Sequence, residues 1–400
     1  MSPFAPDMTG GHSVRLNGSG QDSDARLMND TEILHIITRS DWGGAPRVVE
    51  LLATGTSART AVACGAGGKL IDRLEEDGIP VFEQPSLQSP PDPAGDARTL
   101  ASLYRLLRHG SFDLVHCHST KAGLVGRLAA KLAGVRTVFT VHGWGFYNTD
   151  YDRAAPVIAH GERALSRITD ATVCVSKNDL TEGRRRGITA HTPSTVIHNG
   201  IPPISIRSDR RTLYEETDIE PGTTIVGAIA RLSPQKNPLA IVGAGGELQR
   251  RGHDVAVVVI GDGPLAEDCK HYAAEHDADT HFLGFHDHAL ELLVDFDVFL
   301  MPSRFEGFPL TVLECLHAGV PIVAYDVGGI AEAVSDGDTG FIVPPGDEET
   351  FVDRAERLVT HPEQREELSA RAEGVARSHY TAERMVADYE RVYAEVLDRG

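Results

Sequence analysis

Apolar runs that alternate with amphipathic stretches constrain the fold of this chain more than any other feature. In the first half of the sequence, amphipathic segments such as 121–132 and 155–168 separate runs that are continuously apolar. Those runs lie at 33–37, 61–64, 114–117, 137–141, 171–175 and 194–197. Continuously apolar strands with helices between them are typical of a parallel sheet that helices cover on both faces.

The pattern breaks at residues 199–203, Asn-Gly-Ile-Pro-Pro, because a glycine and two prolines cannot continue a helix or a central strand. Apolar runs then restart at 224–229, 255–260, 281–283, 298–301, 322–325 and 340–343. We therefore predict an α/β protein with two doubly wound parallel-sheet domains. The expected divisions are a disordered leader at 1–30, domains at 31–200 and 201–378, and a C-terminal helix at 379–400. Ligands of such folds bind beyond the carboxyl ends of the strands, so the cleft between the two domains is the expected site.

Charge and composition narrow the class of protein. Lys and Arg number 38 and Asp and Glu number 58, a net charge of −20 that argues against a nucleic-acid partner. Only six of the basic residues are lysines, which fits a halophilic source, although GC-rich coding explains the same bias. No apolar run approaches the roughly 18 residues that span a bilayer, and no secretory signal is visible. The five scattered cysteines indicate buried free thiols in a reducing cytoplasm.

Two glycine loops follow predicted strands. Gly43 and Gly44 lie at a strand-to-helix turn, where backbone N–H groups can approach a phosphate or sugar, although a tight turn without a ligand explains them equally well. The second loop begins at Gly261 and matches GxGxxG/A, which raises the alternative of an NAD-dependent oxidoreductase. That fingerprint belongs to the first strand–helix unit of a domain, whereas this loop follows the second, so we disfavour the dinucleotide hypothesis.

Two cations flank the loop after the strand at 224–229. Arg231 can bind a diphosphate as a bidentate donor, and Lys236 can bind it as a point charge. The alternative is a pair of solvated basic residues.

Two glutamates lie eight positions apart in one motif: Glu306 comes just before Gly307-Phe308-Pro309-Leu310, and Glu314 lies about one turn inside the helix expected to follow. A helix that begins near Pro309 would point the N–H groups of Phe308 and Leu310 into the cleft. A carboxylate can accept hydrogen bonds from two vicinal hydroxyls, so Glu306 and Glu314 suit a hexose or a ribose. Surface glutamates are the alternative, but Glu314 lies among apolar neighbours and a buried carboxylate needs a partner.

Histidines end two of the predicted strands. His142 ends the run at 137–141, and His116 and His118 flank Cys117. Alternate residues of a strand share a face, so this triplet offers at most two ligands to a metal. We favour hydrogen bonding at the strand ends and predict no metal.

Together these segments resemble the family-4 glycosyltransferases, which are retaining enzymes with a GT-B fold. The resemblance spans roughly residues 31–375 and is carried by the motifs Gly43-Gly44, 118–123, 141–144, 175–176, 198–201, 231–236, 261–264 and 306–314. The two glutamates combined with the Arg/Lys loop make it specific. The sequence looks most like the branch that builds cell-surface polysaccharides and lipid-linked glycans.

The resemblance implies a role for each site residue. Gly44 would line the acceptor and diphosphate side of the cleft, and Arg231 and Lys236 would stabilise the donor diphosphate as it leaves. Glu314 would bind the ribose hydroxyls, and His142 would lie near the outer hydroxyls of the donor sugar.

Glu306 would face that sugar, and the backbone N–H groups of Gly307 and Phe308 would be offered to it. The last helix would cross back to the N-terminal domain. The family needs neither a metal nor another cofactor, and most of this branch uses UDP.

The expected partners are a nucleotide-sugar donor and a glycan or lipid-linked acceptor, with peripheral contact at the inner face of the membrane. Arg231, Lys236, Glu306 and Glu314 argue against a third hypothesis, a non-catalytic nucleotide-sugar sensor on the same fold.

Overall fold

The computed structural model describes residues 28–88, 92–147, 154–204, 212–286 and 288–399. Within the first three of these ranges, seven parallel strands form one sheet in the order β3-β2-β1-β4-β5-β6-β7. The strands are β1 (Glu32–Ile37), β2 (Arg59–Cys64), β3 (Val81–Glu83), β4 (Leu114–His118), β5 (Arg136–Val141), β6 (Ala171–Cys174) and β7 (Ser194–Val196). The helices are α1 (Gly44–Gly55), α2 (Lys69–Glu76), α3 (Pro93–His109), α4 (Thr120–Ala133), α5 (Ala155–Leu165) and α6 (Lys177–Arg185), with 3-10 turns at Gly145–Tyr147, Ser166–Ile168 and Thr189–His191.

The remaining described residues hold a six-stranded parallel sheet in the order β10-β9-β8-β11-β12-β13. Its strands are β8 (Thr224–Ile229), β9 (Val255–Ile260), β10 (Thr280–Gly284), β11 (Val298–Met301), β12 (Ile322–Tyr325) and β13 (Phe341–Val343). Its helices are α7 (Thr212–Glu216), α8 (Pro238–Arg250), α9 (Ala266–Glu275), α10 (Ala289–Leu293), α11 (Leu310–Ala318), α12 (Ile330–Ala333), α13 (Glu348–Thr360) and α14 (Pro362–His379). The last helix is α15 (Ala382–Asp398).

Burial explains why the central strands are continuously apolar. Every residue of β9 and β11 is buried, because helices cover both faces of the sheet. Strand β3, which the apolar pattern did not reveal, has three half-buried or exposed residues at a sheet edge. It therefore lacks the apolar run that marks an inner strand.

The N-terminal end of the ordered chain differs slightly from the prediction. Residues 1–27 of the predicted leader lie outside the described residues. Met28, also assigned to that leader, is only 1 % exposed and belongs to the hydrophobic core, so the leader prediction is wrong at this residue.

The linker and the last helix tie the two halves of the chain together. Ile201 forms a parallel bridge with Thr381, and α15 then packs on α1 and β5 of the first sheet. Tyr389 and Tyr393 of α15 are buried against that sheet. No helix of the described residues is long and apolar enough to cross a bilayer.

The strand order fixes where a ligand can bind. In each sheet the order reverses beside the first strand, between β1 and β4 and between β8 and β11. A crevice opens beyond the carboxyl ends of two such strands because their connections leave in opposite directions. The loops after β1, β4, β8 and β11 are therefore the ones positioned to hold a ligand.

Candidate active site

The crevice of the second sheet holds an ion pair. Lys236, in the loop after β8, donates from Nζ to Oε1 of Glu306, in the loop after β11, at 2.5 Å. Glu306 is 7 % exposed and Lys236 is 20 % exposed. Gln235 fixes the two loops to each other, since its side-chain amide donates to the backbone carbonyl of Phe305 and its backbone carbonyl accepts from the N–H of Arg304. A mostly buried carboxylate is thus neutralised at the mouth of the crevice.

Arg231 leaves the end of the same strand as Lys236. Its side chain is exposed, and no described residue forms an ion pair with it. The crevice therefore carries an exposed guanidinium and a lysine whose charge is partly matched by Glu306. These are cations that can bind a polyanion such as a diphosphate.

The second glutamate of the motif is also paired, with a residue that sequence analysis did not single out. Arg47 of α1 donates from Nη1 to Oε1 of Glu314, which lies on the second turn of α11. Both side chains are largely buried, at 16 % and 10 % exposure. Burial raises the pKa of Glu314, and the positive charges of Arg47 and Lys236 oppose that rise. The pair joins the two domains across the cleft.

Helix α11 directs its N-terminus at the cleft. It begins at Leu310, after Pro309 in an extended conformation, close to the predicted start. No described residue accepts a hydrogen bond from the N–H of Phe308 or Leu310. A Cβ atom placed on Gly44, at the start of α1, would lie 4.0 Å from Cγ of Leu310. The starts of α1 and α11 therefore face each other across a narrow gap, where partial positive charge favours an anionic ligand.

The two domains approach each other closely at Gly307. A Cβ atom at this position would lie 2.6 Å from the carbonyl oxygen of His142. Only glycine allows this contact, which places the end of β5 against the loop that carries Glu306. His142 and Glu306, both predicted to face the donor sugar, are thereby brought to the same part of the cleft.

A chain of imidazole rings runs from His142 into the core of the first sheet. Nε2 of His142 lies 3.0 Å from Nδ1 of His118, and Nε2 of His118 lies 3.2 Å from Nδ1 of His35. Burial lowers the pKa of His142 to about 4 and that of His35 to about 3. It also holds the pKa of His118 well below its usual value, with further lowering by the neighbouring histidines. His35 was missed because it lies within an apolar run with no motif around it.

His116 belongs to a separate branch of this cluster. Its Nδ1 lies 2.7 Å from the hydroxyl of Tyr393, and its Nε2 lies 2.7 Å from Oγ1 of Thr140. Thr140 also contacts the hydroxyl of Tyr389 at 3.1 Å. These bonds fasten α15 to the first sheet.

His35, His116 and His118 each place a ligand atom within 4.8 Å of the others, so three histidines come together where the sequence offered two. Register explains the grouping, since His35 lies opposite His116 on the neighbouring strand. Both nitrogens of His116 and of His118 already have hydrogen-bond partners. A hydrogen-bond network accounts for the cluster, and the absence of a metal requirement stays a prediction.

Glu332 of α12 forms a further contact between the domains that the sequence did not suggest. Its carboxylate accepts from the N–H groups of Lys177 and Asn178 at the start of α6, and it lies 2.8 Å from Nε2 of His198. Burial raises the pKa of Glu332, but the hydrogen bonds from His198, Lys177 and Asn178 outweigh it and leave the pKa below its usual value. Glu332 thus caps a helix of the opposite domain.

The Gly261 loop packs on protein rather than lying open. Gly261 has φ +134°, and a Cβ atom there would lie 1.9 Å from the carbonyl oxygen of Ala230. The close approach of the loop that leads to Arg231 therefore explains why position 261 is a glycine. A ligand-binding role for Gly261 stays a prediction.

Family models match most of the chain in two parts. The model described as glycosyltransferase family 4 matches residues 42–203, and the model described as glycosyl transferases group 1 matches residues 209–375. The two matches correspond to the two sheets.

Known glycosyltransferases are similar to this chain over both domains. The chain is 30 % identical over 304 residues, 74 % of its length and 78 % of the relative's, to UDP-Gal:alpha-D-GlcNAc-diphosphoundecaprenol alpha-1,3-galactosyltransferase of Escherichia coli. It is 25 % identical to N-acetyl-alpha-D-glucosaminyl L-malate synthase of Bacillus anthracis, over 76 % of this chain and 80 % of the relative. Anabaena HepE, solved with UDP and glucose, superposes with a TM-score of 0.81 at 20 % identity, over 91 % of this chain and 100 % of HepE. The likeness confirms the predicted fold, two Rossmann-like parallel-sheet domains in the GT-B arrangement.

Proposed function

Because the chain belongs to the family-4 glycosyltransferases, we propose that it transfers a hexosyl or N-acetylhexosaminyl unit from a UDP-sugar to a glycan or lipid-linked acceptor. The product would enter surface polysaccharide or glycoprotein glycan. The transfer retains the anomeric configuration and needs no metal.

The observation that carries the proposal is the pairing of both motif glutamates with cations at one cleft. Lys236 neutralises Glu306, and Arg47 neutralises Glu314 from the opposite domain. Each glutamate has one carboxylate oxygen engaged, which leaves the other to accept from a hydroxyl. Glu314 would take the ribose hydroxyls and Glu306 those of the sugar. Between the two glutamates in sequence lie Phe308 and Leu310, whose N–H groups donate to no described residue.

UDP is supported as the nucleotide by two comparisons. The Escherichia coli relative carries UDP-Gal in its name, and HepE was solved with UDP and glucose. The diphospholipid in that relative's name supports a lipid-linked acceptor.

The chemistry follows from where charge develops. The bond between the anomeric carbon and the β-phosphate oxygen breaks, and a bond forms from the acceptor oxygen to the same face of the sugar. The acceptor proton passes to the departing phosphate oxygen. Arg231, Lys236 and the N-terminus of α11 stabilise the negative charge on the leaving group. Because Lys236 engages Glu306, that carboxylate is a weak candidate for a covalent nucleophile, which favours front-face attack.

Three further features support the proposed metal independence and cellular setting of the enzyme. Since two cations and a helix end supply positive charge at the crevice, a metal is not needed to balance the diphosphate. All five cysteines are buried and unpaired, which supports a reducing cytoplasm. The acidic, lysine-poor composition supports activity at high salt.

Membrane contact is supported by one face of the N-terminal domain. Leu124 and Leu132 of α4 are exposed, as is Val157 of the adjoining α5, at 40 %, 65 % and 73 %. Arg and Lys outnumber Asp and Glu between residues 93 and 191, although the whole chain is strongly acidic. Apolar side chains in a locally basic region fit the surface of an anionic bilayer.

Vesicle sedimentation tests this contact. The protein should sediment with vesicles that contain phosphatidylglycerol and not with pure phosphatidylcholine, and Leu132→Glu combined with Val157→Glu should abolish it. Phe285→Glu is the matched control, since Phe285 is equally exposed on the other domain, at 64 %. Equal sedimentation of the double variant and the control would exclude this face as the docking surface.

A thermal-shift screen tests the donor. UDP, GDP, ADP, their common sugar conjugates and NADH are added with and without EDTA, at low and at high KCl. A ligand that binds only the native state raises the melting temperature by an amount that grows with RT ln(1 + [L]/Kd). We expect UDP and a UDP-sugar to raise the melting temperature of the protein, and EDTA to leave that rise unchanged. A shift with NADH alone would favour the oxidoreductase, and binding without any transfer would make the protein a non-catalytic sensor.

A further inference from the structure

The imidazole chain of the first sheet determines which nitrogen of His142 carries a proton. His142, His118 and His35 are linked head to tail through Nε2–Nδ1 contacts of 3.0 and 3.2 Å. A hydrogen bond between two neutral imidazoles needs one N–H and one bare nitrogen. Since burial keeps all three rings neutral at pH 7, fixing the proton on one ring fixes it on the others.

The inner end of the chain sets its direction. Nε2 of His35 is buried, and no described residue lies within hydrogen-bond reach of it. A buried N–H without an acceptor is rarer in proteins than a buried acceptor without a donor. Nε2 of His35 is therefore the bare nitrogen, and the proton of this ring lies on Nδ1.

The remaining protons follow from that assignment. Nδ1–H of His35 donates to Nε2 of His118, so the proton of His118 lies on Nδ1. That N–H donates to Nε2 of His142, so the proton of His142 lies on Nδ1, the one nitrogen of its ring with no partner among the described residues.

We propose that His118 and His35 are positioning residues that lock His142 as the Nδ1–H tautomer, so that it presents a hydrogen-bond donor to the cleft and cannot act as a base there. The identity of the acceptor atom, a hydroxyl oxygen of the donor sugar, rests on the proposed function. The tautomer itself does not. His116 takes no part, because its two nitrogens are committed to Tyr393 and Thr140.

Two substitutions of His118 separate positioning from space filling. Asparagine places its amide near the position of Nδ1 and can still donate to His142, whereas glutamine places its amide near Nε2 and reaches only towards His35. His118→Gln should lower kcat about 10- to 100-fold, and His118→Asn should keep most of it, although glutamine is closer to histidine in size. KM for the donor should change less than kcat. If His118 only fills space, His118→Gln should keep more of kcat than His118→Asn.

Tyr393→Phe is the matched control, since it removes a hydrogen bond to His116 in the same buried cluster and leaves the bonds between His142, His118 and His35 intact. Tyr393→Phe should change kcat by no more than about twofold, which is well below the about 10-fold loss expected at the least for His118→Gln.

Nitrogen NMR of the free wild-type protein, labelled with 15N-histidine, tests the tautomer without a substrate. The signals of His142 are assigned by their loss in His142→Gln. A protonated Nδ1 and a bare Nε2 in His142 are expected, and a protonated Nε2 would overturn the proposal whatever the variants do. A protein with the expected tautomer that transfers no sugar would contradict the proposed function and leave this inference standing.

Discussion

Replacing Lys236 by methionine separates the structural role of this lysine from its proposed role in catalysis. Its Nζ lies 2.5 Å from Glu306, a carboxylate that is only 7 % exposed. Removing one partner of a buried ion pair costs about 3 to 5 kcal/mol, because the other charge stays buried and unmatched. We expect about 3 kcal/mol, the lower end, because Lys236 is still a fifth exposed. Loss of a donor that stabilises leaving-group charge should also lower kcat roughly 100- to 1000-fold.

A double-mutant cycle with Glu306→Gln tells the two effects apart. The double variant removes both charges, so its free energy of unfolding in urea should return to within about 1 kcal/mol of the wild type. Its release of UDP from a UDP-sugar should stay far below that of Glu306→Gln alone, because the diphosphate still lacks its cation. Lys270→Met is the control: its pair with Glu267 is exposed, so the substitution should leave both the free energy of unfolding and the release of UDP close to those of the wild type.

The refuting result is specific. If the double variant turns over as fast as Glu306→Gln alone, the lysine acts only by neutralising the glutamate and does not stabilise the leaving group. Lys236→Met with unchanged kcat would refute both roles at once.

Three further substitutions test other parts of the account. Burial raises the pKa of Asp179 to about 7, so this carboxyl keeps its proton in the native state at pH values where the unfolded state has lost it. The contribution of this group to the stability of the protein is fully present below its unfolded pKa and is lost as pH rises through about 7. Asp179→Asn should remove that part of the fall in melting temperature between about pH 4 and about pH 7, and identical pH profiles of the variant and the wild type would refute the reasoning. Gly307→Ala should push a carbonyl of the opposite domain away, raising the radius of gyration in X-ray scattering and lowering turnover, whereas Gly374→Ala, whose Cβ meets nothing within 4 Å, should do neither. Arg47→Met should raise the pKa of Glu314 further and weaken UDP binding in calorimetry, and an unchanged Kd would show that this pair does not serve the ligand.

The sheet strands could be predicted because their signal is local. A continuously apolar run of four to six residues indicates a buried parallel strand wherever it occurs, and the prediction matches β8, β9, β11 and β12 at both ends. The edge strand β3 could not be found in this way, since edge residues need not be apolar.

The site was only half predictable, for a related reason. Glu306, Glu314, Arg231 and Lys236 stand in compact motifs after strands, so their chemistry can be inferred from spacing.

The partners that complete these groups are remote in sequence. Arg47 lies 267 residues from Glu314, Glu332 lies 155 residues from Lys177, and His35 lies 83 residues from His118. Only the strand order and the meeting of the domains bring them together, and a single sequence contains no local trace of either.

The anomeric configuration of a transferred sugar tests the central claim most directly. A UDP-sugar that stabilises the protein is incubated in EDTA with a soluble diphospholipid analogue of N-acetylglucosamine, and the product is examined by proton NMR. The account predicts a new glycosidic bond with the α configuration of the donor, formed at the same rate with and without EDTA. A β-linked product would contradict retention. Release of UDP with no glycosidic product, from any donor that binds, would contradict the assignment as a transferase.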